Sequence, residues 1–505
     1  MNSDNRLIDA RLVTWSVLFS LFSVPYVDIW SRGATGTAIS VAIFAAVLCL
    51  ALFRTHLAIL AVVLLQITIP AFPRDIIDAY SALQVSKSVS YNTICSLNFA
   101  SLALIQHLTF LVAIVALYKL IFSGKELFLG KNQKIYLAAF CSSALLATLY
   151  FTFSQNENVN LREIVTNVRL PLFLFCGILY FNYLYHFLGM EKSVYYLNRV
   201  LLAITIIMGV RVPFFILSGI KAAIPSLDLG VIPHIPIAVV LTIFFLIEQD
   251  RGNRRSYLLL LLLSVFGLVS PSRGHMAILV LSSGVFLFIN GLSARYLKYL
   301  GVIAAMFIIP VIFVFMFNER LFDFILWKLS FFTGNVSDSG KMRVYEFNNI
   351  LAEALNNPPY LLFGKGLTGF FTFIEHPLPR SIVLDLKSYT QDEIASGRYY
   401  HPHFFTNFIL LKYGALGLFV YVVMVFDYFK CGLQGVRSAA AAGYGVQMRF
   451  FCMTSAILSV SMLLEMFFRN YYALLFAMTL PFLYKARQHS LNNREELNED
   501  TVPVT

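Results

Sequence analysis

Apolar stretches long enough to cross a lipid bilayer follow one another along almost the whole chain, and no other feature constrains its fold as strongly. In hydrocarbon every backbone N–H and C=O must be satisfied within the protein, and a helix of about 20 apolar residues does this over the ~30 Å core. Charge rarely interrupts the pattern. Charged residues are 13% of the 505 and hydrophobic residues 58%, against about 25% charged in a soluble domain. The chain therefore reads as an all-α polytopic membrane protein with about fourteen transmembrane helices, at 13–30, 37–53, 56–72, 99–122, 135–153, 170–188, 200–218, 231–248, 257–270, 276–290, 300–317, 404–426, 450–468 and 471–484. Met1 to Arg11 is polar and carries Asp4 and Asp9, and no small-residue cleavage site follows the first apolar run. That run is expected to be a retained helix.

Basic residues set the orientation, because short cytoplasmic loops collect Lys and Arg. With the N-terminus inside, the cytoplasmic side gathers Arg6, Arg11, Arg54, Lys125, Lys131, Lys134, Lys192, Arg251, Arg254, Arg255, Arg295, Lys298, Lys430, Arg437, Arg449 and the tail from Lys485. The opposite short loops hold far fewer. Both termini are then cytoplasmic, and the formal charge of +11 reflects anchoring at anionic membrane lipid. The basic residues are spread over many loops, which argues against nucleic acid as a partner. Cys49, Cys95, Cys141, Cys176, Cys431 and Cys452 show no CxxC spacing, and neither a metal nor a cofactor is expected.

The chain divides into a bundle of about eleven helices over 1–317, a large periplasmic loop over 318–402, further transmembrane helices over 403–484, and a cytoplasmic tail over 485–505 whose polar composition predicts disorder. Within the loop, Val344, Phe347, Leu351 and Leu355 recur near helical period. They predict an amphipathic helix over 342–357 lying on the membrane face, stopped by Asn356-Asn357-Pro358-Pro359. The glycines of Phe363-Gly364-Lys365-Gly366-Leu367-Thr368-Gly369-Phe370 mark turns where backbone approaches backbone or ligand. The order is not that of a Walker A loop.

Several residues are candidates for chemistry. His403 follows Pro402 at the start of a helix and at the membrane surface, where an imidazole serves either as general base or only as a helix cap. Arg273, in the tight turn Pro271-Ser272-Arg273-Gly274-His275, sits at headgroup depth. There it either binds phosphate with its planar fork or snorkels to lipid. Arg343 opens the loop helix, as a second guanidinium for the same anion or as a solvated charge. Arg211 interrupts an apolar helix. His401 and Arg398 flank the mouth of the His403 helix, and Arg162, Arg169 and Lys365 add positive charge on the same side. Asp28 and Glu465, near helix ends, read as structural pairing groups. Glu375, Asp385, Asp392 and Glu393 show no metal-ligand spacing.

Three of these stretches together resemble the bacterial O-antigen polymerase/ligase superfamily. Ser270-Pro271-Ser272-Arg273-Gly274 is similar to its helical hairpin. Arg343-Val344-Tyr345-Glu346, followed by Asn357-Pro358-Pro359-Tyr360 and Gly364-Lys365-Gly366, is similar to the stretch within its large loop. His403, then Gly414-Ala415-Leu416-Gly417, is similar to the ligase pattern, except that Phe404 stands where ligases carry Asn, Ser or Gln. The resemblance covers about residues 200–425. It implies a GT-C-like fold and metal-independent, inverting glycosyl transfer from a glycan on undecaprenyl pyrophosphate in the bacterial inner membrane. Arg273 and Arg343 would hold the pyrophosphate and His403 would act as base. Arg211, Gly364, Gly366, His401 and Arg398 would contact substrate. A polymerase joins repeat units of O-antigen or exopolysaccharide, with a chain-length regulator as a further partner; a ligase transfers glycan to lipid A core. Phe404 favours the polymerase. The alternative outside enzymes is a polysaccharide flippase or transporter, which calls for charges lining a route at mid-membrane.

The orientation is testable directly. A reporter active only in the periplasm is expected to work when fused near residue 335 or 390 and to fail at 128, 253 or 440; activity at 253 would overturn it.

Overall fold

The computed structural model describes residues 7–30, 33–69, 92–99, 102–155, 161–217, 234–249, 253–265, 273–291, 293–317, 338–379, 389, 391–441, 445–466 and 469–499. It is 84% helical. A helix occupies each of the fourteen apolar stretches: α1 (Ala10–Pro25, continued by a π turn over Tyr26–Trp30), α2 (Gly33–Phe53), α3 (Thr55–Thr68), α4 (Leu104–Phe122), α5 (Lys131–Gln155), α7 (Arg169–Leu188), α8 (Met190–Leu217), α9 (Ile235–Gln249), α10 (Arg254–Ser264), α11 (Arg273–Asn290), α12 (Ala294–Phe317), α16 (Phe405–Ala441), α17 (Val446–Glu465) and α18 (Asn470–Glu499). A short α6 (Leu161–Asn167) leads into α7, and a hairpin of β1 (Asn98–Phe99) and β2 (Leu102–Ala103) precedes α4. Among the described residues seven helices are long and apolar enough to cross a membrane: α2, α4, α5, α7, α8, α16 and α17. Shorter apolar helices lie within α1, α3, α9, α11 and α12. The protein is a helical membrane protein.

Burial sorts these helices by position. From Phe450 to Ser461, α17 is buried on every face, as a helix at the centre of a bundle must be. It packs on α16, α9, α8 and α11. At the periphery, α2 and α5 expose Phe53 and Phe153, each more than 80% accessible, where lipid tails are the natural neighbour. The seam between α7 and α18 closes on Gly177, where a Cβ would come within 2.5 Å of the Leu474 carbonyl. Small residues of this kind let membrane helices approach backbone to backbone.

The long loop carries α13 (Asp338–Leu355), α14 (Pro358–Phe363) and α15 (Gln391–Ser396). The loop helix is present, but its inward face is not the one its apolar spacing suggests. Met342, Glu346, Ile350 and Ala354, four apart, are buried, while Val344, Phe347 and Leu355 stay exposed. The Asn-Pro-Pro run ends one helix and starts the next, with proline in the first turn of α14. The tail also departs from expectation, since α18 continues through Lys485 to Glu499. Extending an existing helix avoids the nucleation cost, and Ala486, Arg487, Gln488, Leu491 and Glu495 are good helix formers. The Ser270-Pro271-Ser272 turn, Asp385, residues 500–505 and the side chains of Asp28, Arg162 and Arg273 lie outside the described residues.

One irregularity ties the loop to the bundle. At Gly414, α16 breaks, with φ +66° and ψ −168°. A break frees the carbonyls one turn earlier, and here Leu411 and Lys412 turn theirs to the loop. The N–H groups of Lys365 and Gly366 donate to them at 2.6 and 3.1 Å. Backbone meets backbone at this seam: a Cβ on Gly364 would lie 2.6 Å from the Gly414 nitrogen, and one on Gly366 would overlap the Thr148 backbone of α5. Both loop glycines have positive φ, which L side chains adopt at a cost of about 1–2 kcal/mol. Gly366→Ala is expected to lose that amount plus about 1–3 kcal/mol of overpacking. Gly291→Ala, at φ +81° with nothing within 4 Å, should lose the backbone term only. Thermal unfolding of the two variants in detergent checks the difference.

Candidate active site

The site is built where α13 lies against the start of α16. Glu346 is fully buried, and a carboxylate tolerates burial only with its oxygens satisfied. Oε1 accepts from the Tyr389 hydroxyl and from His403 Nδ1, each at 2.5 Å. Oε2 accepts from the His403 backbone N–H at 3.0 Å and the Asn407 amide at 3.4 Å. Four donors meet about four lone-pair positions. Burial first, and then the Glu346 charge, pushes the Tyr389 phenol well above its ordinary value, so it remains a donor. A carboxylate only accepts, so the bonded Nδ1 of His403 carries a proton, which in a neutral ring leaves the lone pair on Nε2. The ring stands edge-on to Tyr389 at 5.0 Å. Its side chain is 28% accessible. An oriented imidazole backed by a buried carboxylate, with a partly open face, has the parts of a general base.

Around this pair the loop forms a small core of its own. Phe371 and Tyr399 exchange backbone hydrogen bonds of 3.0 Å in both directions, and Phe373, Tyr389 and Tyr399 pack ring against ring. Two lysines lock the glycine-rich turn. Buried Lys412 donates to the carbonyls of Leu367 at 3.2 Å and Gly369 at 2.6 Å. Lys365 pairs with Glu353, donates to the Phe370 carbonyl at 2.9 Å and lies over the Phe151, Tyr360 and Phe370 rings. Glu353 in turn accepts from the N–H and hydroxyl of Thr372. Lys365 is therefore a neutralised internal group, not the open positive charge its place in a glycine loop suggests.

Beside His403, on the other side of Pro402, a cavity of about 250 Å³ opens. His401, Pro402, Arg169, Asn167, Thr166 and Asn470 contribute to its wall. Glu163 lies outside that lining, its carboxylate 3.2 Å from His401 Nε2 and 3.5 Å from the Asn167 amide.

The other expected residues fall into place around these two features. Arg343 is one turn before Glu346, with its side chain exposed and its carbonyl accepting from Asn407 at 3.0 Å. Arg398 lays its guanidinium over the Phe370 ring at 4.8 Å. Gly364 and Gly366 are buried in the seam with α16 and α5. Arg211 sits elsewhere, buried, with its guanidinium on the carbonyl of Thr68 at 2.5 Å; a cation is favoured at the end of α3. Arg273 opens α11, and two residues on, His275 is buried with Nδ1 2.9 Å from His234 Nδ1. His234 approaches Glu465 at 3.8 Å, and Glu465 pairs with Arg469 at 3.1 Å, the structural pairing its position suggested. Arg469 precedes the Asn470 of the cavity wall.

Sequence reasoning placed His403 but assigned no role to Glu346. The available signal was its position four residues from both Met342 and Ile350, a carboxylate on what became the packed stripe. The chain matches no family model, no curated protein and no solved structure.

The Lys365–Glu353 pair offers a test of how the turn is held. Glu353→Ala strands a buried ammonium and is expected to cost about 3–5 kcal/mol, whereas Glu353→Ala with Lys365→Met should recover much of the loss. Unfolding midpoints of the single and double variants measure the coupling.

Proposed function

We propose that this chain is a glycosyltransferase of the bacterial cytoplasmic membrane that joins oligosaccharide repeat units carried on undecaprenyl pyrophosphate at the periplasmic face. In this reading the fourteen helices all cross, both termini are cytoplasmic and residues 318–402 face the periplasm. The observation that carries it is the His403–Glu346 pair at a helix start. That is the arrangement an acceptor hydroxyl needs for deprotonation, at the position the resemblance to O-antigen polymerases and ligases singles out. His403 Nε2 takes the proton as the hydroxyl oxygen attacks the anomeric carbon. The new C–O bond forms on the face opposite the one that breaks, and the lipid pyrophosphate leaves with the bonding electrons. Glu346 steadies the imidazolium. Arg273 and Arg343 take the pyrophosphate charge, so no cation is needed. Carrying both substrates on lipid raises their effective concentration at this level. Phe404 in place of a small polar residue favours polymerase over ligase.

Purified protein in liposomes with lipid-linked repeat units, chelator and no energy source is expected to make a ladder of polymer. His403→Ala should lower the rate by about 10²- to 10⁴-fold at unchanged membrane protein level. Glu346→Gln should lower kcat, since an amide cannot balance the imidazolium charge. Arg273→Lys should be impaired, because lysine keeps the charge and loses the bidentate fork. Normal polymer from His403→Ala removes the proposed base. Movement of lipid-linked units with no new bond identifies a transporter instead.

A further inference from the structure

Helix α13 carries a second apolar face besides the one it packs. Met342, Glu346, Ile350 and Ala354 turn inward. Val344, Phe347 and Leu355 fall on one stripe at helical spacing, on the opposite side from Glu346, and Val344 and Leu355 remain 57% and 60% accessible. The charges are sorted in the same way. Among the described side chains of α13 both carboxylates face inward, Glu346 to His403 and Glu353 to Lys365. The exposed charged residues are basic: Lys341 and Arg343 stand at the two edges of the stripe. Base beside an apolar stripe, with the acids withdrawn, is the pattern of a helix seated at a lipid surface.

The depth of the loop agrees with that pattern. The Arg343 carbonyl accepts from Asn407, in the first turn of α16, a helix long and apolar enough to cross a membrane. The N–H groups of Lys365 and Gly366 reach Leu411 and Lys412, about two turns further along α16, roughly 10 Å by helix rise. The loop is thus sunk beside the top of a spanning helix and does not stand clear of it. Amphipathic helices seat their apolar side chains about 5–10 Å into the boundary between headgroups and acyl chains, and Arg343 is placed to keep its guanidinium at the phosphates.

We propose that the outward face of α13 is a membrane-contact surface, with Val344, Phe347 and Leu355 seated in bilayer lipid. This contact needs no substrate, so it is independent of the transferase reading. Together with that reading, it gives one helix that touches lipid on one side and carries the carboxylate behind His403 on the other, so that the bilayer helps to set the height of the base.

Nitroxide accessibility in the full-length protein tests this, in nanodiscs of phosphatidylcholine and phosphatidylglycerol without substrate. The exposed Cys49 and Cys141 are changed to serine, and one label at a time is attached through Val344→Cys, Phe347→Cys or Leu355→Cys. Phe153→Cys, at an exposed position of α5, and Lys125→Cys, at an exposed position between α4 and α5, serve as the apolar and aqueous references. Molecular oxygen concentrates among acyl chains, whereas a polar nickel chelate stays in water. The ratio of oxygen to nickel collisions at Val344 and Leu355 is expected to approach that at Phe153 and to exceed severalfold that at Lys125. A ratio like that at Lys125 puts the stripe in water and overturns the proposal. Protection from both reagents means that protein covers the stripe, a second copy or another segment, and overturns the lipid assignment as well. All three positions are exposed, so cysteine should cost little stability, and a variant that fails to insert leaves the other two to be read. Lipid contact without polymer formation keeps this surface and removes the reaction; polymer with a stripe in water does the reverse.

Discussion

A membrane helix hides its carbonyls in its own hydrogen bonds, and α16 abandons that rule at Gly414. The carbonyls of Leu411 and Lys412 are released into a place where water is scarce, and leaving them unmet costs about 1–3 kcal/mol each. The loop backbone at Lys365 and Gly366 meets them. This seam fixes the height of the loop on the bundle. It thereby sets α13 against the start of α16, which is what brings Glu346 under His403. Two buried lysines then hold the loop's own carbonyls, so the turn is locked from both sides.

The Glu346 network shows why the site is selective about its members. A buried carboxylate with four donors is stable only as a complete set. Loss of one donor leaves a desolvated oxygen, and the donors come from two separate places in the chain, Tyr389 in the loop and the His403–Asn407 turn at the start of α16. The imidazole orientation is therefore a property of the folded loop and not of the His403 segment alone.

Much of this was legible in the sequence. A helix lies in each apolar stretch read from the sequence, and among the described residues seven of these helices are long and apolar enough to cross a membrane. His403 was legible because Pro402 announced a helix start. Glu346 was hidden by its surroundings: a carboxylate three residues after Arg343, on a helix bearing Val344 and Phe347, reads as solvated until the helix is rotated onto α16. Lys365 misled for the same reason, since its partner Glu353 is close but its burial under Phe151 and Tyr360 is tertiary. The glycines of the loop were readable as close approaches, but not what they approach. The Thr148 hydroxyl that receives the Leu367 N–H lies 219 residues away in the chain.

That separation has a consequence for how the protein is made. The chain emerges from its N-terminus, so α5 is already in place when the glycine-rich turn appears. The turn finds Thr148 waiting, but Leu411 and Lys412 have not yet been synthesised. Its backbone bonds remain unmade until α16 follows it into the membrane. Assembly of the loop is thus the last act of a helix inserted after it, and a chain ending before Lys412 would carry every loop residue yet lack the seam that shapes them.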